Sequence, residues 1–265
     1  MHHHRTVTEI MPVSIPGLIA VRSTTEELRA CMKENYVAAR VESGHSEWWA
    51  HGKLWRSAPG SIQLKEPGDV HRDRSHDGPI TLQVVVLPSS LFESVRDEGR
   101  TIALPHLALG DERAYAFHRL HDAISDRAER LPLEVAVTEA ATAFVQLKST
   151  ASHRSQPVRR AMDYLRERIS DSVTLDDLAL HAGLDKFHLC RAFRAQIGMP
   201  PHAYLTHLRV ARARRLLERG VVASQVASLV GFYDQSQLNR HFRRIVGTTP
   251  GRHALRQAGR ERSVP

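Results

Sequence analysis

Two stretches of the chain repeat one order of apolar and basic residues, and both are suited to a polyanion. The first reads Leu189-x-Arg191-x-Phe193-Arg194-x-x-Ile197-Gly198-x-x-Pro201, the second Leu238-x-Arg240-x-Phe242-Arg243-x-x-Val246-Gly247-x-x-Pro250. On a helix, Leu and Phe four apart share one buried face while the arginines project from others. Arginine offers paired N–H donors in a fixed fork, which matches a guanine edge in the major groove or a phosphate. The charge distribution agrees. Residues 155–265 hold 19 Lys and Arg against 9 Asp and Glu, whereas residues 1–154 hold 18 against 20. The basic excess thus lies in the last two-fifths, where counterion release from a nucleic-acid backbone would add affinity.

Such helices need a partner to set their angle, and each copy supplies one. Ala179-x-x-x-Gly183 and Ala227-x-x-x-Gly231 precede the two stretches, at an offset of 48 residues before the turn and 49 after it. A small alanine lets a second helix cross closely, and glycine suits a left-handed helix end. Short helices are expected over Leu175–His181 and Ser224–Val230, with Asp185 and Asp234 as N-caps of the helices that follow. Each copy is therefore a helix-turn-helix. Between them, Pro201–Arg219 reads as one helix ended by Gly220. Its 19 residues span about 28 Å, enough to set two recognition helices about one duplex turn, ~34 Å, apart.

From about Val173 to Arg256 these residues resemble the AraC/XylS family of regulators. The second half, Gly231-Phe232-x-Asp234-Gln235-Ser236-x-Leu238-x-Arg240-x-Phe242-Arg243-Arg244-x-x-Gly247-x-Thr249-Pro250, carries that likeness in type and spacing. It departs from the family's usual ending, where Ala254-Leu255-Arg256 replaces an aromatic before the last arginine. The resemblance implies DNA contacts from Lys186, Phe187, Cys190, Arg191 and Arg194 in the first recognition helix. In the second it implies Gln235, Ser236, Gln237, Asn239, Arg240 and Arg243. It also implies promoter or operator duplex DNA, a small organic effector and RNA polymerase as partners, and a homodimer.

Ahead of Lys148–Pro157, a small, polar, linker-like stretch, the pattern changes. Leu18–Val21, Tyr36–Val41, Ser61–Leu64 and Ile80–Leu87 are short apolar or alternating runs punctuated by Pro59-Gly60, Pro67-Gly68 and Asp77-Gly78. They suggest a small antiparallel barrel or sandwich. A helical period follows from Asp111, with Ala114, Phe117, His118, His121 and Ile124 on one face and the proline after Leu131 ending the run. A second helix covers about Glu134–Leu147. The pair either covers the sheet or exposes a stripe for dimerisation. The resemblance implies a cupin-like β-barrel followed by two helices, with Gly60 to His71 as its closing strand and turn.

The expected fold is therefore α+β. A cupin-like sensor and dimerisation domain occupies 1–147, a linker 148–157, and an all-α domain with two helix-turn-helix units joined by a long helix 158–265. Arg40, His45, Trp48, Trp55 and His71 fall on or near the expected strands, and aromatic faces with a few polar groups suit a small organic effector. Trp48 and Trp49 are adjacent, so one of them at most faces inward. His45-Ser46-Glu47 is too sparse for a metal set, with Trp48 where another ligand would stand, and neither a metal nor a cofactor is expected. Without a ligand triad or a nucleophile-base pair, an enzyme is not expected either. The alternative is a cupin-type enzyme fused to a DNA-binding domain. A repair methyltransferase carrying the same DNA-binding module would need a cysteine cluster, and only Cys31 and Cys190 are present. Those two also make no disulfide framework, as in a reducing compartment. The longest apolar run, Leu82–Leu87, contains Gln83 and cannot span a bilayer. No secretory leader precedes it, so the expected location is the cytoplasm. His2–His4 are read as a tag remnant or tail.

Overall fold

The computed structural model describes residues 6–92, 101, 102, 104–149 and 154–261. His2–His4 and residues 150–153 of the linker-like stretch lie outside the described residues. Two compact units divide between residues 153 and 154.

The first unit opens with β1 (Val7–Met11), β2 (Ile19–Thr25), β3 (Ala30–Met32), β4 (Tyr36–Ser43), β5 (Ser46–Ala50), β6 (Lys53–Ser57), β7 (Ile62–Lys65), β8 (Val70–His76) and β9 (Ile80–Leu87). Short strands β10 (Thr101–Ile102), β11 (His106–Leu107) and β12 (Lys148–Ser149) follow. One sheet has the order β1-β2-β9-β4-β7-β11, a second β3-β8-β5-β6, and β10 pairs with β12. Among the described residues no ladder joins the two larger sheets, so the closed barrel implied by the resemblance is not formed. The chain turns corners at Gly44, at Pro67-Gly68 and at Asp77-Gly78, and at each it leaves one sheet for the other. Strands that change sheets at their corners cannot continue a single ladder around a barrel.

The larger sheet has two different faces. Ala38, Ile62, Leu64, Val85 and Leu87 pack with α1 (Tyr115–Ser125) and α2 (Arg130–Gln146) in one core that includes Phe117, Leu120, Ile124, Ala140 and Phe144. Alternation puts Val37, Ala39, Gln63 and Lys65 on the opposite face, because Ala39 pairs with Gln63 and Val37 with Lys65. Pro132 does not end the first helical run, as the sequence suggested. It stands in the first turn of α2, where a missing N–H leaves no hydrogen bond unmade. Pro157 likewise sits in the first turn of α3 (Gln156–Glu167).

The second unit continues with α4 (Leu175–Ala182), α5 (Lys186–Ile197), α6 (Pro201–Glu218), α7 (Ala223–Leu229), α8 (Gln235–Val246) and α9 (Pro250–Glu261). Near its start α6 sets Tyr204 edge-on to Phe193 of α5, at 5.6 Å between centroids. Further along, its Val210, Ala213 and Leu217 join Val226, Ala227, Phe232, Leu238 and Phe242 in one core. Near the end, His253 of α9 stands edge-on to Phe242 at 5.6 Å and reaches Glu218 at 3.2 Å.

Gly183 and Gly231 both have a left-handed backbone, with φ of 72° and 84°. Only Gly231 is also crowded. A Cβ there would lie 2.7 Å from the Ser170 carbonyl oxygen and 2.9 Å from that of Ile169, whereas one at Gly183 would meet nothing nearer than 3.9 Å. Gly183→Ala is expected to cost about 1 to 2 kcal/mol from its backbone alone. Gly231→Ala should cost about 2 to 4 kcal/mol, since the overlap adds to the same strain. Urea unfolding of the two variants compares them, and equal costs would mean that the 169–171 loop yields freely.

Candidate nucleic-acid interface and effector cleft

Local chemistry fixes where α5 and α8 begin. Asp185 accepts from the backbone N–H groups of Phe187 (3.0 Å) and His188 (2.9 Å), and those bonds, led by the one from His188, hold its carboxyl below the usual range. Thr174 caps α4 in the same way through Asp177 N (3.1 Å), and Gly183 closes that helix. Asp234 accepts from Gln237 N at 2.6 Å, while the Gln237 side chain turns back to accept from Tyr233 N at 2.9 Å. That reciprocal pair of bonds is the logic of a capping box.

With the starts fixed, the buried faces follow. Leu189, Phe193 and Ile197 go inward on α5, Leu238 and Phe242 on α8. On α5, Lys186, Phe187, Arg191 and Arg194 are exposed and Cys190 half-buried, with Lys186 paired to Asp176 at 3.2 Å. On α8, Gln235, Ser236, Arg240 and Arg243 are exposed, and Gln237 and Asn239 half-buried. Gln237 is engaged in capping, a role that the position-by-position likeness to a family could not reveal. Asn239, Arg240, Arg243 and Arg244 border one concavity of about 400 Å³. Arg244 was absent from the expected contacts although the sequence doubles the arginine at that point. It also approaches His241 Nδ1 at 3.3 Å, and His241 stacks on Phe232. Burial first, then Arg244 and Arg240, push the His241 pKa down.

In the sheet unit the structure separates the candidates. Arg40 lies on the helix side, donating to Asp122 of α1 and to Gln83 Oε1 (2.9 Å), because it alternates with Ala39 and Val41. It is therefore not grouped with the tryptophans. Trp48 is fully buried between the sheets and donates from Nε1 to Ser57 Oγ at 2.9 Å. Trp55 is half-buried, its ring 6.0 Å from His106, and donates to the Ala50 carbonyl. His71 is buried beside Cys31, its Nδ1 3.4 Å from Sγ. The Pro67-Gly68 turn is tied down by Asp69, which accepts from Glu66 N and bonds His51. His45 lines an open cleft of about 350 Å³ at one end of the smaller sheet, with Ser46, Ser57, His76 and Asp77.

Sequence reasoning missed Lys65. The residue is 5% exposed, and its ammonium hydrogen-bonds to Gln63 Oε1 at 2.9 Å and lies 5.4 Å from the centre of the Trp48 ring. Among the described residues no carboxylate forms an ion pair with it. Burial first, then Lys33, pulls its pKa down to about 7, against weaker opposition from Asp73, Cys31 and Asp69. A lysine is ordinarily read as surface, so only the β4–β7 register could have placed it inside.

Buried helix pairs with arginine-bearing outer faces, beside a two-sheet unit with a cleft, define a two-part DNA-binding regulator. Comparison with known proteins agrees. The AraC-like ligand binding domain model matches residues 21–141, and a helix-turn-helix domain model matches residues 178–256. The chain belongs to the AraC family of transcriptional regulators. It is 29% identical to the uncharacterized HTH-type transcriptional regulator YbfI of Bacillus subtilis over 77% of this chain and 78% of that one. It is also 33% identical to the probable transcriptional regulator LumQ of Photobacterium leiognathi, over 34% and 37% of the two chains. The solved structure of ToxT from Vibrio cholerae bound to (E)-4-(8-methylnaphthalen-1-yl)but-3-enoic acid shares the fold at a TM-score of 0.51. It is 12% identical, covering 95% of this chain and 99% of that one. Among the described residues no helix is long and apolar enough to cross a membrane, and no three His, Cys, Asp or Glu gather as metal ligands.

Lys65 supplies a pH test of the buried interior. Between its folded value of about 7 and its ordinary value of 10.5, the unfolded chain holds a proton that the folded chain does not. Stability from this group therefore rises as pH climbs through that window, and its penalty is fully present below pH 7. Lys65→Met removes the penalty, so its stabilising effect should be about 2 to 4 kcal/mol larger at pH 6 than at pH 10. Denaturant unfolding at both pH values measures the difference. An effect independent of pH would show that the amine is solvated in the folded state.

Proposed function

We propose that α5 and α8 are the recognition helices of this regulator and enter two successive major-groove segments of one operator. The observation that carries this reading is the repeated arrangement of each helix: a buried Leu-Phe pair inside, and Arg191 with Arg194 or Arg240 with Arg243 exposed outside. In this reading Lys186, Phe187, Cys190, Gln235, Ser236 and Asn239 contribute contacts around those arginines, and Gln237 supports the start of α8. Arg244 joins them on phosphate, as a neighbour of Arg240 and Arg243. The α6 helix, 18 residues and about 27 Å long, is a spacer of suitable length.

The sheet unit is the sensor. A small organic effector is expected in the cleft beside Ser57, where its binding shifts how the DNA-binding units are presented. His45 remains a candidate contact and Trp48 backs Ser57, with Trp55 and His71 as further candidates, whereas the bonds of Arg40 to α1 favour a role in holding helix to sheet. The outer faces of α1 and α2 are the proposed dimer surface, with Tyr115 exposed there. RNA polymerase is the further partner at the promoter, the working place is the cytoplasm, and no catalytic activity is assigned. Functional boundaries of 1–147, 148–157 and 158–265 complete the reading.

Arg240→Ala should weaken operator binding by about 1 to 3 kcal/mol and relax base preference at one position of the site. Footprinting and titration on the promoter region beside the chain's own coding sequence, at matched salt, measure both. Unchanged affinity and preference would remove Arg240 from the interface.

A further inference from the structure

The hydrogen bonds that lead from Lys65 to Ser57 run in one direction. While Lys65 is protonated its ammonium donates and never accepts, so the Gln63 oxygen must face it, at 2.9 Å. The other end of that amide, Nε2, then donates to Ser57 Oγ at 3.1 Å. Trp48 Nε1, also a donor only, reaches the same oxygen at 2.9 Å. A hydroxyl has two lone pairs and one proton. Both lone pairs of Ser57 are occupied, so its proton points elsewhere, and among the described residues nothing accepts it.

Ser57 lines the cleft of about 350 Å³. Ser57, Ser46 and His76 stand opposite one another in a row across β6, β5 and β8, and so share a face. His76 lines the same cleft, its side chain is 6% exposed, and its Nδ1 has no partner. The Ser57 proton and the His76 Nδ1 on one wall thus remain to be matched, as expected where a ligand completes the bonding. Around the rim, Arg56 is occupied by Glu47 at 2.6 Å, and Asp77 adds a negative charge.

We propose that this cleft takes a small organic molecule by an unprotonated acceptor oxygen, a ketone or carboxylate, seated on the Ser57 hydroxyl. The inference rests on reading the sheet unit as the effector-binding part, and names the chemical group that part selects. Lys65 acts from behind as a positioning residue. Its charge fixes the Gln63 amide, and the amide fixes the Ser57 proton. A ligand offering only N–H or O–H donors finds no lone pair on Ser57 to receive them.

The three tryptophans, Trp48, Trp49 and Trp55, all lie on β5 and β6, so the intrinsic fluorescence of the full chain reports on this region. Three probes of one shape would be titrated at pH 6, where Lys65 is charged: cyclohexanecarboxylate, cyclohexyl methyl ketone and cyclohexylmethylammonium. Carboxylate and ketone should bind at least about tenfold tighter than ammonium, the worth of one good hydrogen bond. Carboxylate ahead of ketone would mean that the Lys65 charge is felt in the cleft, and the reverse would mean that the hydrogen bond alone selects.

Gln63→Glu supplies the decisive comparison. A carboxylate at that position accepts from both Lys65 and Ser57, drawing the serine proton inward and leaving a lone pair toward the cleft. The order should then reverse in favour of ammonium, whereas a damaged fold would weaken all three probes together. Equal binding of the three by the parent chain, an unchanged order in Gln63→Glu, or no fluorescence response to any probe would overturn the proposal. Operator binding in the presence of the probes separates the two readings. Selective probe binding without effect on DNA removes the regulatory role and leaves the cleft chemistry, and an effector that acts while the cleft stays silent does the opposite.

Discussion

Arg209 of α6 donates from Nε to the Ile169 carbonyl at 2.8 Å and from Nη2 to the Asp171 carbonyl at 2.7 Å. Both carbonyls lie just past the end of α3, where backbone acceptors have no helical partner. The same guanidinium lies 5.8 Å from the Phe232 ring, and Ser170 in the same loop donates to the Leu229 carbonyl at 2.9 Å. A loop ahead of the first helix-turn-helix is thereby held by α6 and by the end of α7. Gly231 is the point of closest approach, which is why its lack of a side chain has two causes and that of Gly183 only one. Two recognition helices can act on one duplex as a pair only if the units that carry them keep a fixed relation. This loop, the connection between α3 and α4, is tied to α6 and to α7.

Charge is distributed unevenly over the paired helices. The first has Asp176 and Asp177 in the opening turn of α4, and one of these holds Lys186. The second has only Asp234 near its turn, spent on capping, while Arg240, Arg243 and Arg244 follow one another around a single concavity. Long-range attraction for a polyanion is therefore stronger at α8 than at α5. Exposed aromatic surface stands near both, at Phe187 on α5 and at Tyr233 just ahead of α8.

How legible each part was depends on how local its determinants are. Caps, glycine ends and i,i+4 apolar pairs act within one or two turns, so Asp185, Asp234 and both Leu-Phe pairs could be placed from sequence. Strand runs were legible too, and β2, β4, β7 and β9 overlap the apolar stretches that announced them. Pairing was not, because it joins residues far apart: Arg40 faces Gln83, and Gln63 faces His106. Without the register, Arg40 looked like a pocket residue when its alternation with Ala39 sends it to the helices. The corners that separate two sheets carry the same turn residues that a barrel would need, so a barrel and a sandwich have the same signature. One proline misled for a related reason, since Pro132 would stop a helix only if it lay beyond its first turn.

Lys65 shows why the interior of the sheet unit resisted a reading by residue type. A lone ammonium between two sheets works against folding at neutral pH, and an apolar residue of similar length would fill the space without that cost. What the charge supplies instead is direction. Asn, Gln, Ser and Thr can each reverse their hydrogen bonds, so a network made only of them has no fixed polarity. Adding Lys65 at one end and the Trp48 indole beside it removes the alternatives. Every bond then has one orientation as far as the Ser57 oxygen, and the cleft meets a donor rather than an indifferent hydroxyl. Specificity of this kind comes from two donors, the protonated Lys65 and the Trp48 indole, placed where the ligand never touches them, and it is absent from any list of residues lining the pocket.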